Sequence, residues 1–403
     1  MNAKRSRWWA MAVIVVLLAA TSGSYAGAPS GAAYRTASPD AAVKLAILAP
    51  LTGSVSMWGR SARDGALLAI AQQNAHGGVL GMAIEPIVED TACDATTAVA
   101  ATNKVINQDG VRYIIGDVCS RSSIPMSEIA DAVGVIQMTP TATAPGVTVY
   151  DDGRVKEYVF RAAFIDPYQG TAAARFARSV LAARRAFVLF DPDNPYSNGL
   201  AETFRAEFVK GGTIAGEATY SALDTDFASV LSMVKAADPE VIYLPDYYNL
   251  VNRVTRQARD MGIIAPFVGG DGWGSPDLDT AAAAVSYFTD HFSLEDPRPE
   301  VSAFDQAFRS QYGAAPDVVA ALAYDAARLL FQAMSEANTV DTAVVKSRLA
   351  AIAFRGVTGT LFYDAQHNPI KSVAVMRVES DGVRFFALVP PMRPAVYLPS
   401  VRR

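Results

Sequence analysis

The chain has 403 residues, of which 51% are hydrophobic and 19% are charged. This length and composition exclude an intrinsically disordered chain and predict a folded, two-domain protein. The 35 basic and 40 acidic residues leave a net charge of -5, with no basic block of the kind that follows nucleic-acid phosphates. We therefore expect no nucleic-acid partner.

The N-terminus has the three parts of a secretory signal in the usual order. Three basic residues lie within the first seven, an apolar run extends from about residue 8 to residue 20, and small residues precede Ala26. The apolar run is shorter than the roughly 20 residues of a membrane-spanning helix. We predict a signal peptide over residues 1–26, cleaved near Ala26, then a flexible tail over 27–42 and a periplasmic mature protein. An uncleaved N-terminal anchor is the alternative.

From Val43 onward, short apolar runs alternate with longer segments whose apolar residues recur at helical spacing. The predicted strands of this first unit are 43–51, 83–90, 111–117 and 134–140. The predicted helices are 61–75, 94–108 with Asp94 as its cap, and 124–133 with Pro125 in its first turn. This alternation is typical of a parallel sheet with helices on both faces.

The same pattern starts again after the turn-rich stretch 141–155. The strand-like runs are 158–164, 184–191, 213–220, 241–246 and 266–271, and the helical segments are 168–183, 197–210, 226–237, 249–262, 301–313, 316–337 and 341–354. Residues 359–391 alternate as strands do, with turn signals at 367–369 and 381–382. We therefore predict a second lobe of the same kind, with the chain crossing between the lobes more than once.

Motifs for catalysis are absent from the sequence. It contains no GxSxG, GxGxxG, Walker-type or HExxH motif and no SxxK motif followed by KTG, and its three histidines, His76, His291 and His367, are scattered. We expect no enzyme activity, no cofactor and no metal site. The two cysteines, Cys93 and Cys119, favour a disulfide over a redox or metal site in an exported chain, and such a loop would stabilise the fold by roughly 3 kcal/mol.

Polar residues follow several predicted strands, at the edge where open α/β sheets bind ligands. Ser120 in "GDVCSRSSIP" lies just before a predicted helix, whose N-terminus favours an anion such as a carboxylate. The alternative is that Ser120, Ser122 or Ser123 caps this helix. Asp271 in "VGGDGWGSP" could bind a ligand ammonium group, or it could cap a helix before Pro276.

Six segments together carry a family resemblance: "LAPLTGSVSMWGRSARDGALLAIAQQNAHGGVLG", "EDTACDATTAVAATNKVINQDGVRYIIGDVCSRSSIP", "TPTATAPG", "GGDGWGSPDL", "AYDAARLL" and "GVTGTLFYDAQHNP". Over residues 43 to 388 the chain resembles the periplasmic solute-binding proteins of branched-chain amino acid ABC transporters. The resemblance implies an α/β Venus-flytrap fold of the type I periplasmic binding proteins, with two Rossmann-like lobes joined by three crossovers. It places lobe I at 43–162 plus 293–362, lobe II at 163–292 plus 363–390, and a C-terminal tail at 391–403.

The resemblance also implies a ligand site for one amino acid in the cleft. Ser120 and Thr143 would hold the α-carboxylate, and Asp271 would hold the α-ammonium group together with the Thr141 carbonyl. The side-chain pocket would be shaped by three aromatic residues, Trp58, Tyr196 and Tyr247. The resemblance also implies a disulfide between Cys93 and Cys119. The implied partners are a small-molecule ligand and the membrane permease of an ABC transporter, with a monomeric binding protein.

Two residues depart from the family pattern. Some amino acid binders have glutamate where this chain has Asp271, whose shorter arm would shift the ligand or admit a water. Arg121 is unexpected beside a pocket for leucine: we expect it to point outward, and an inward orientation would favour an acidic or amide ligand. The alternatives to a branched-chain or aliphatic amino acid binder are therefore a binder of an amide, an acidic amino acid or an aromatic acid, or a sensory receptor domain with the same fold.

Overall fold

The computed structural model describes residues 42–390. The predicted signal peptide, its cleavage site and the two predicted tails, apart from residue 42, lie outside this range. The strands are β1 (Val43–Ala49), β2 (Ile84–Asp90), β3 (Tyr113–Gly116), β4 (Ile136–Thr139), β5 (Val159–Arg161), β6 (Arg185–Phe190), β7 (Thr213–Thr219), β8 (Val241–Tyr243), β9 (Phe267–Gly269), β10 (Ser286–Asp290), β11 (Ala353–Gly356), β12 (Gly359–Phe362), β13 (Val373–Glu379) and β14 (Gly382–Val389). The α-helices are α1 (Ser56–Ala75), α2 (Ala95–Asn107), α3 (Ser120–Ala132), α4 (Asp166–Ser179), α5 (Pro195–Phe208), α6 (Ala228–Ala237), α7 (Tyr248–Asp260), α8 (Pro299–Tyr312), α9 (Val318–Ala337) and α10 (Thr342–Ala350).

The first sheet has five parallel strands in the order β2-β1-β3-β4-β5. Its central strands β3 and β4 are buried along their whole length, which explains their continuous apolar character. The segments that follow β3 and β4 begin helix α3 with Ser120 and carry Thr141. Because parallel strands end at the same edge of a sheet, these two residues lie on one side of the first lobe.

The second sheet has seven strands in the order β14-β13-β10-β9-β8-β6-β7. Strands β6 to β10 are parallel, whereas β13 pairs antiparallel with β10 and β14 pairs antiparallel with β13. The carboxyl ends of the parallel strands lead to Asp191, Asp246, Asp271 and His291. These residues form the edge that faces the first lobe.

The chain passes between the two sheets three times. It leaves the first sheet after β5, leaves the second after β10 to form α8, α9 and α10, and returns to the second sheet with β13 after the β11–β12 hairpin. The predicted α/β fold of two lobes with three crossovers is confirmed. The residue limits predicted for the two lobes remain a prediction.

Helix α9 packs against α1 across the first lobe. A Cβ atom on Gly65 of α1 would lie 2.1 Å from the Ala320 carbonyl oxygen, so only glycine permits this approach. The α9 helix is long and apolar enough to cross a membrane by length and composition, but 83% of its most apolar window is buried inside the protein. Its apolar character is therefore accounted for by its place in the core.

Several predicted boundaries are wrong. Helix α1 begins at Ser56 rather than at residue 61, which brings Trp58 onto the helix. Helix α3 begins at Ser120, so Pro125 lies inside the helix and not in its first turn. The last predicted helix does not reach Phe354, because Ala353–Gly356 pairs with Gly359–Phe362 as a hairpin. By contrast, the predicted cap of α2 is confirmed, since the Asp94 carboxylate accepts a hydrogen bond from the Thr97 N–H at 2.8 Å.

Candidate ligand-binding site

A cavity of about 30 Å³ lies where the carboxyl ends of the two sheets face each other. Six of the seven predicted ligand-binding residues line it: Trp58, Ser120, Thr141, Tyr196, Tyr247 and Asp271. The other lining residues are Val118, Gly272, His291, Val318, Val319 and Leu322. Residues predicted from distant parts of the sequence are thus brought together in one place.

Thr143, the seventh predicted residue, lies behind the wall of the cavity. It is fully buried, and its carbonyl oxygen accepts a hydrogen bond from the Asp166 N–H at 3.1 Å. Its hydroxyl lies near the Asp166 carboxylate but makes no hydrogen bond of regular geometry with any residue in 42–390. A buried hydroxyl in this state has hydrogen-bonding capacity to spare.

The first-lobe side of the cavity is built largely from main-chain contacts. Ser120 is the first residue of α3, and its hydroxyl accepts a hydrogen bond from the Ala144 N–H at 3.2 Å. The Thr141 hydroxyl donates to the Val118 carbonyl at 2.8 Å. These bonds tie the loops after β3 and β4 to each other beside the N-terminus of α3.

The capping alternative for the serines is wrong. The N-cap position of α3 is Cys119, and no side chain caps this helix within the described part of the chain. Ser122 and Ser123 instead donate to the Asp117 carboxylate and to the Asp117 carbonyl. The positive end of the α3 dipole therefore faces the cleft without a capping side chain.

Cys93 and Cys119 form a disulfide, with their Cα atoms 5.7 Å apart. The bond joins the loop after β2 to the residue just before Ser120. It confirms the predicted pairing and fixes the start of α3 against a neighbouring loop.

The second-lobe side is centred on the carboxylate of Asp271, whose side chain is 9% exposed. One oxygen, Oδ1, accepts hydrogen bonds from the Tyr196 hydroxyl at 2.8 Å and from Gln169 Nε2 at 3.0 Å. The other, Oδ2, lies 2.8 Å from His291 Nε2. The helix-capping alternative for Asp271 is therefore wrong, since three side chains orient its carboxylate at the cavity wall.

His291 is a neutral donor in this arrangement. Its ring is buried and stacks on Phe164 with centroids 3.6 Å apart. Burial lowers the pKa of His291 to about 4, although the neighbouring Asp271 opposes this shift. Tyr196, Gln169 and His291 thus supply hydrogen bonds but no positive charge, which leaves Asp271 able to pair with a cation.

Aromatic rings form much of the remaining wall. Tyr247 stacks on Tyr196 with centroids 5.2 Å apart and meets Trp58 edge to face at 5.1 Å. The Trp58 indole N–H donates to the Gly274 carbonyl across the cleft at 3.0 Å. Together with the apolar side chains at the start of α9, these rings make a pocket suited to an apolar group.

Arg121 lies at the mouth of the cleft and not in the inner cavity. It is exposed, and its Nη2 donates to the Asp193 carbonyl of the second lobe at 2.9 Å. The Tyr248 hydroxyl makes another bridge, to the Ser54 carbonyl at 3.4 Å. Both bonds join the two lobes, so the structure has a closed cleft.

Several residues of the site were missed by sequence reasoning. His291 directly follows β10, and this position at a strand end was a signal that could have identified it. Gln169 lies 102 residues from Asp271 and gave no such signal. Gly272 is needed because a Cβ atom there would lie 2.7 Å from the Asp246 carbonyl oxygen.

Asp166 is the other missed residue, at the first position of α4. Neither of its carboxylate oxygens accepts a hydrogen bond of regular geometry from the residues that the structure describes. Burial raises its pKa well above the ordinary value; the charge of Asp271 adds to this shift and Arg161 opposes it. A second acidic group therefore lies within electrostatic reach of Asp271.

Two open α/β sheets with their carboxyl ends facing across a closed cleft define a two-lobe binding protein. Residues 42–383 match the family model described as periplasmic binding protein. Because this match covers most of the chain, the protein belongs to that family.

Known relatives agree with this assignment. A leucine-, isoleucine-, valine-, threonine-, and alanine-binding protein of Pseudomonas aeruginosa is 32% identical over 328 residues, which cover 80% of this chain and 86% of that protein. The leucine binding protein LivK of Thermotoga maritima has a TM-score of 0.81 at 32% identity, covering 87% of this chain and 99% of that one. LivJ of Streptococcus pneumoniae, a branched-chain amino acid transporter substrate-binding protein in complex with isoleucine, has a TM-score of 0.80 at 30% identity, covering 88% and 100%. The resemblance inferred from the sequence is confirmed.

Proposed function

We propose that the protein is the extracytoplasmic solute-binding component of an ABC importer and that it binds an aliphatic amino acid, of the branched-chain class, in its cleft. The observation that carries this proposal is the Asp271 carboxylate, held at the wall of a largely aromatic and aliphatic cavity by three neutral donors. The names of the relatives support the same class of ligand.

The charged groups of the ligand have complementary groups on the two sides of the cleft. The carboxylate would lie at the N-terminus of α3 beside the Ser120 hydroxyl, with the Thr143 hydroxyl buried behind the cavity wall. The ammonium group would pair with Asp271 and with the Thr141 carbonyl. A buried zwitterion is costly unless both charges are matched, so molecules that lack either charge should be rejected.

The side chain of the ligand would lie among Trp58, Tyr196 and Tyr247 and against the start of α9. Burial of an aliphatic side chain in such a place is worth about 1.5–3 kcal/mol. Asp271 with its supporting donors comes from the second lobe, whereas Ser120 comes from the first. Binding would therefore favour closure of the lobes by a hinge motion, and the closed form would dock as a monomer on a membrane permease.

Isothermal titration calorimetry on the purified mature protein tests this function. We expect leucine, isoleucine or valine to bind at micromolar concentration or below, while 4-methylpentanoate and isoamylamine, which each lack one charged group, bind at least roughly 100-fold more weakly. Absence of heat and of thermal stabilisation with every amino acid would refute the proposal. Turnover of an amide or ester by the same preparation would instead indicate an enzyme.

The periplasmic location and the removal of residues 1–26 belong to the same proposal. Mass spectrometry of the protein from the periplasmic fraction should show a mature N-terminus close to Ala26. A membrane-bound chain that retains its first residues would favour the sensory receptor alternative.

A further inference from the structure

A second and larger cavity lies at the mouth of the cleft, between the two lobes. Its volume is about 150 Å³, and Tyr247 lines both this cavity and the inner one. We call it the outer chamber and define it by Arg121 from the first lobe and by Asp191, Asn194, Asp246, Tyr247 and Asn249 from the second. The Tyr247 ring therefore lies between the two cavities, and a ligand side chain would have to pass it to reach the outer chamber.

The second-lobe wall of the outer chamber carries oriented hydrogen-bond acceptors. Asp246 is 4% exposed, and its carboxylate accepts from the Tyr247 N–H at 2.7 Å and from the Tyr220 hydroxyl at 2.8 Å. Asp191 is 2% exposed and accepts from the Asp193 N–H at 2.9 Å. The Oδ1 atom of Asn249 is buried and accepts no hydrogen bond from residues 42–390. Each carboxylate oxygen has more than one lone pair, so this wall can accept further hydrogen bonds.

The first-lobe wall carries the donor. The guanidinium of Arg121 has five N–H groups in a planar fork, and its Nη2 donates to the Asp193 carbonyl. Burial raises the pKa of Asp246 to about 7, and the charge of Arg121 opposes this shift. The guanidinium and the Asp246 carboxyl therefore interact electrostatically across the outer chamber.

We propose that the outer chamber binds the amide or ureido end of a ligand side chain, with the ligand carbonyl accepting from Arg121 and the ligand NH2 donating to Asp246 and Asn249. This inference rests on the proposed function, since the α-amino and α-carboxyl groups would remain in the inner cavity. It extends the ligand class to amino acids with a longer side chain and a terminal amide, of which glutamine is the simplest.

The chemistry of the two walls selects an amide over other side-chain ends. An alkyl end would leave the Asn249 oxygen and the guanidinium without new partners. A carboxylate end would meet the acceptors of Asp191 and Asp246, and an ammonium end would meet Arg121. An amide is neutral and carries a donor and an acceptor on one carbon, so it matches both walls.

Calorimetry with leucine, glutamine, norleucine and glutamate tests the inference on the mature protein. Norleucine extends past Tyr247 as glutamine does but carries no amide. We expect glutamine to bind at least about tenfold more tightly than norleucine and glutamate. If leucine binds while glutamine binds no better than norleucine, the role of the outer chamber is wrong and the proposed function stands. If no amino acid binds, the proposed function itself fails.

Two variants test whether the preference for glutamine arises in the outer chamber. Asn249→Ala removes the unpartnered acceptor, and Arg121→Lys keeps the charge but removes the planar fork. Asn249→Ala should lower glutamine affinity roughly tenfold while leucine affinity changes less than about twofold. Arg121→Lys also disturbs the bridge to the Asp193 carbonyl, so it should weaken the binding of both ligands, and that of glutamine more than that of leucine. Asn103→Ala, on the surface of α2, is the matched control and should change neither affinity. Equal losses for glutamine and leucine in Asn249→Ala and Arg121→Lys would show that these residues act on lobe closure, and would overturn the amide site.

Discussion

The two sides of the inner cavity are built in different ways. On the first-lobe side, Ser120 and Thr141 are held by main-chain groups of Ala144 and Val118, with sequence separations of 24 and 23 residues. On the second-lobe side, the Asp271 carboxylate depends on side chains that lie 102, 75 and 20 residues away in Gln169, Tyr196 and His291.

This difference has a consequence for tolerance to substitution. On the first-lobe side, an anion can bind to several main-chain N–H groups and to the positive end of a helix dipole. The loss of one hydroxyl therefore leaves most of the binding groups in place. On the second-lobe side, a single carboxylate lines the inner cavity and can pair with a cation. That carboxylate is oriented only by side chains. We therefore expect substitutions on the second-lobe side to weaken ligand binding more.

Replacement of Asp271 should have the largest effect. Asp271→Ala leaves the ligand ammonium buried without its counter-charge, which costs about 3–5 kcal/mol and weakens binding more than roughly 100-fold. Asp271→Asn keeps the size of the side chain and should lose nearly as much, because it removes the charge. Calorimetry with leucine measures both losses, with Asp277→Ala, an exposed acid of the same loop, as the control. Wild-type affinity in Asp271→Asn would contradict the assignment of the ammonium site.

Removal of the disulfide should lower stability more than affinity. The Cys93→Ala/Cys119→Ala double variant opens a loop with a sequence separation of 26 residues, and the free energy of unfolding should fall by about 3 kcal/mol. The residues that bind the ligand all remain, so leucine affinity should fall less than about tenfold. Urea unfolding monitored by circular dichroism gives the stability. A large loss of affinity with unchanged stability would mean that the disulfide organises the first-lobe side directly.

Replacement of His291 tests whether Asp271 must be oriented by its neighbours. His291→Phe keeps an aromatic ring against Phe164 but removes the donor to Oδ2, and it should weaken leucine binding by about 1.5–3 kcal/mol, or roughly 10- to 100-fold. His291→Gln supplies a new donor and should recover part of the loss. Equal affinity in the wild type and in His291→Phe would show that Tyr196 and Gln169 suffice.

The same residue should make stability depend on pH. Because burial lowers the pKa of His291 from 6.5 to about 4, the unfolded chain binds more protons than the folded protein between these values. The contribution of His291 to stability is therefore complete above pH 6.5 and falls as the pH drops towards 4, by at most about 1.4 kcal/mol per pH unit. The difference in unfolding free energy between the wild type and His291→Phe should follow this slope. A difference that stays constant with pH would contradict the burial of a neutral ring.

The contrast between the two sides also explains how far the sequence could predict the site. Ser120 and Thr141 follow neighbouring strands of the first sheet, so local pattern and order along the chain were enough to place them together. Gln169 and His291 were missed because their contact with Asp271 depends on the order of strands in the second sheet, where β10 lies beside β9 through long-range pairing. The start of β11, residues 353–354, was mistaken for the end of a helix for a related reason, since a strand's partner is not visible in its own residues.

Ser120→Ala should have the smallest effect of the ligand-site substitutions, and it tests the first-lobe side most directly. The substitution removes one hydroxyl from the carboxylate site, while the uncapped N-terminus of α3 remains. We expect a loss of about 0.5–1.5 kcal/mol, or roughly 3- to 10-fold in leucine affinity. Ser232→Ala, an exposed serine of α6 whose hydroxyl donates only within its own helix, should change nothing. A loss as large as that of Asp271→Ala would mean that the first-lobe side also depends on a single side chain, and that the contrast between the two sides is wrong.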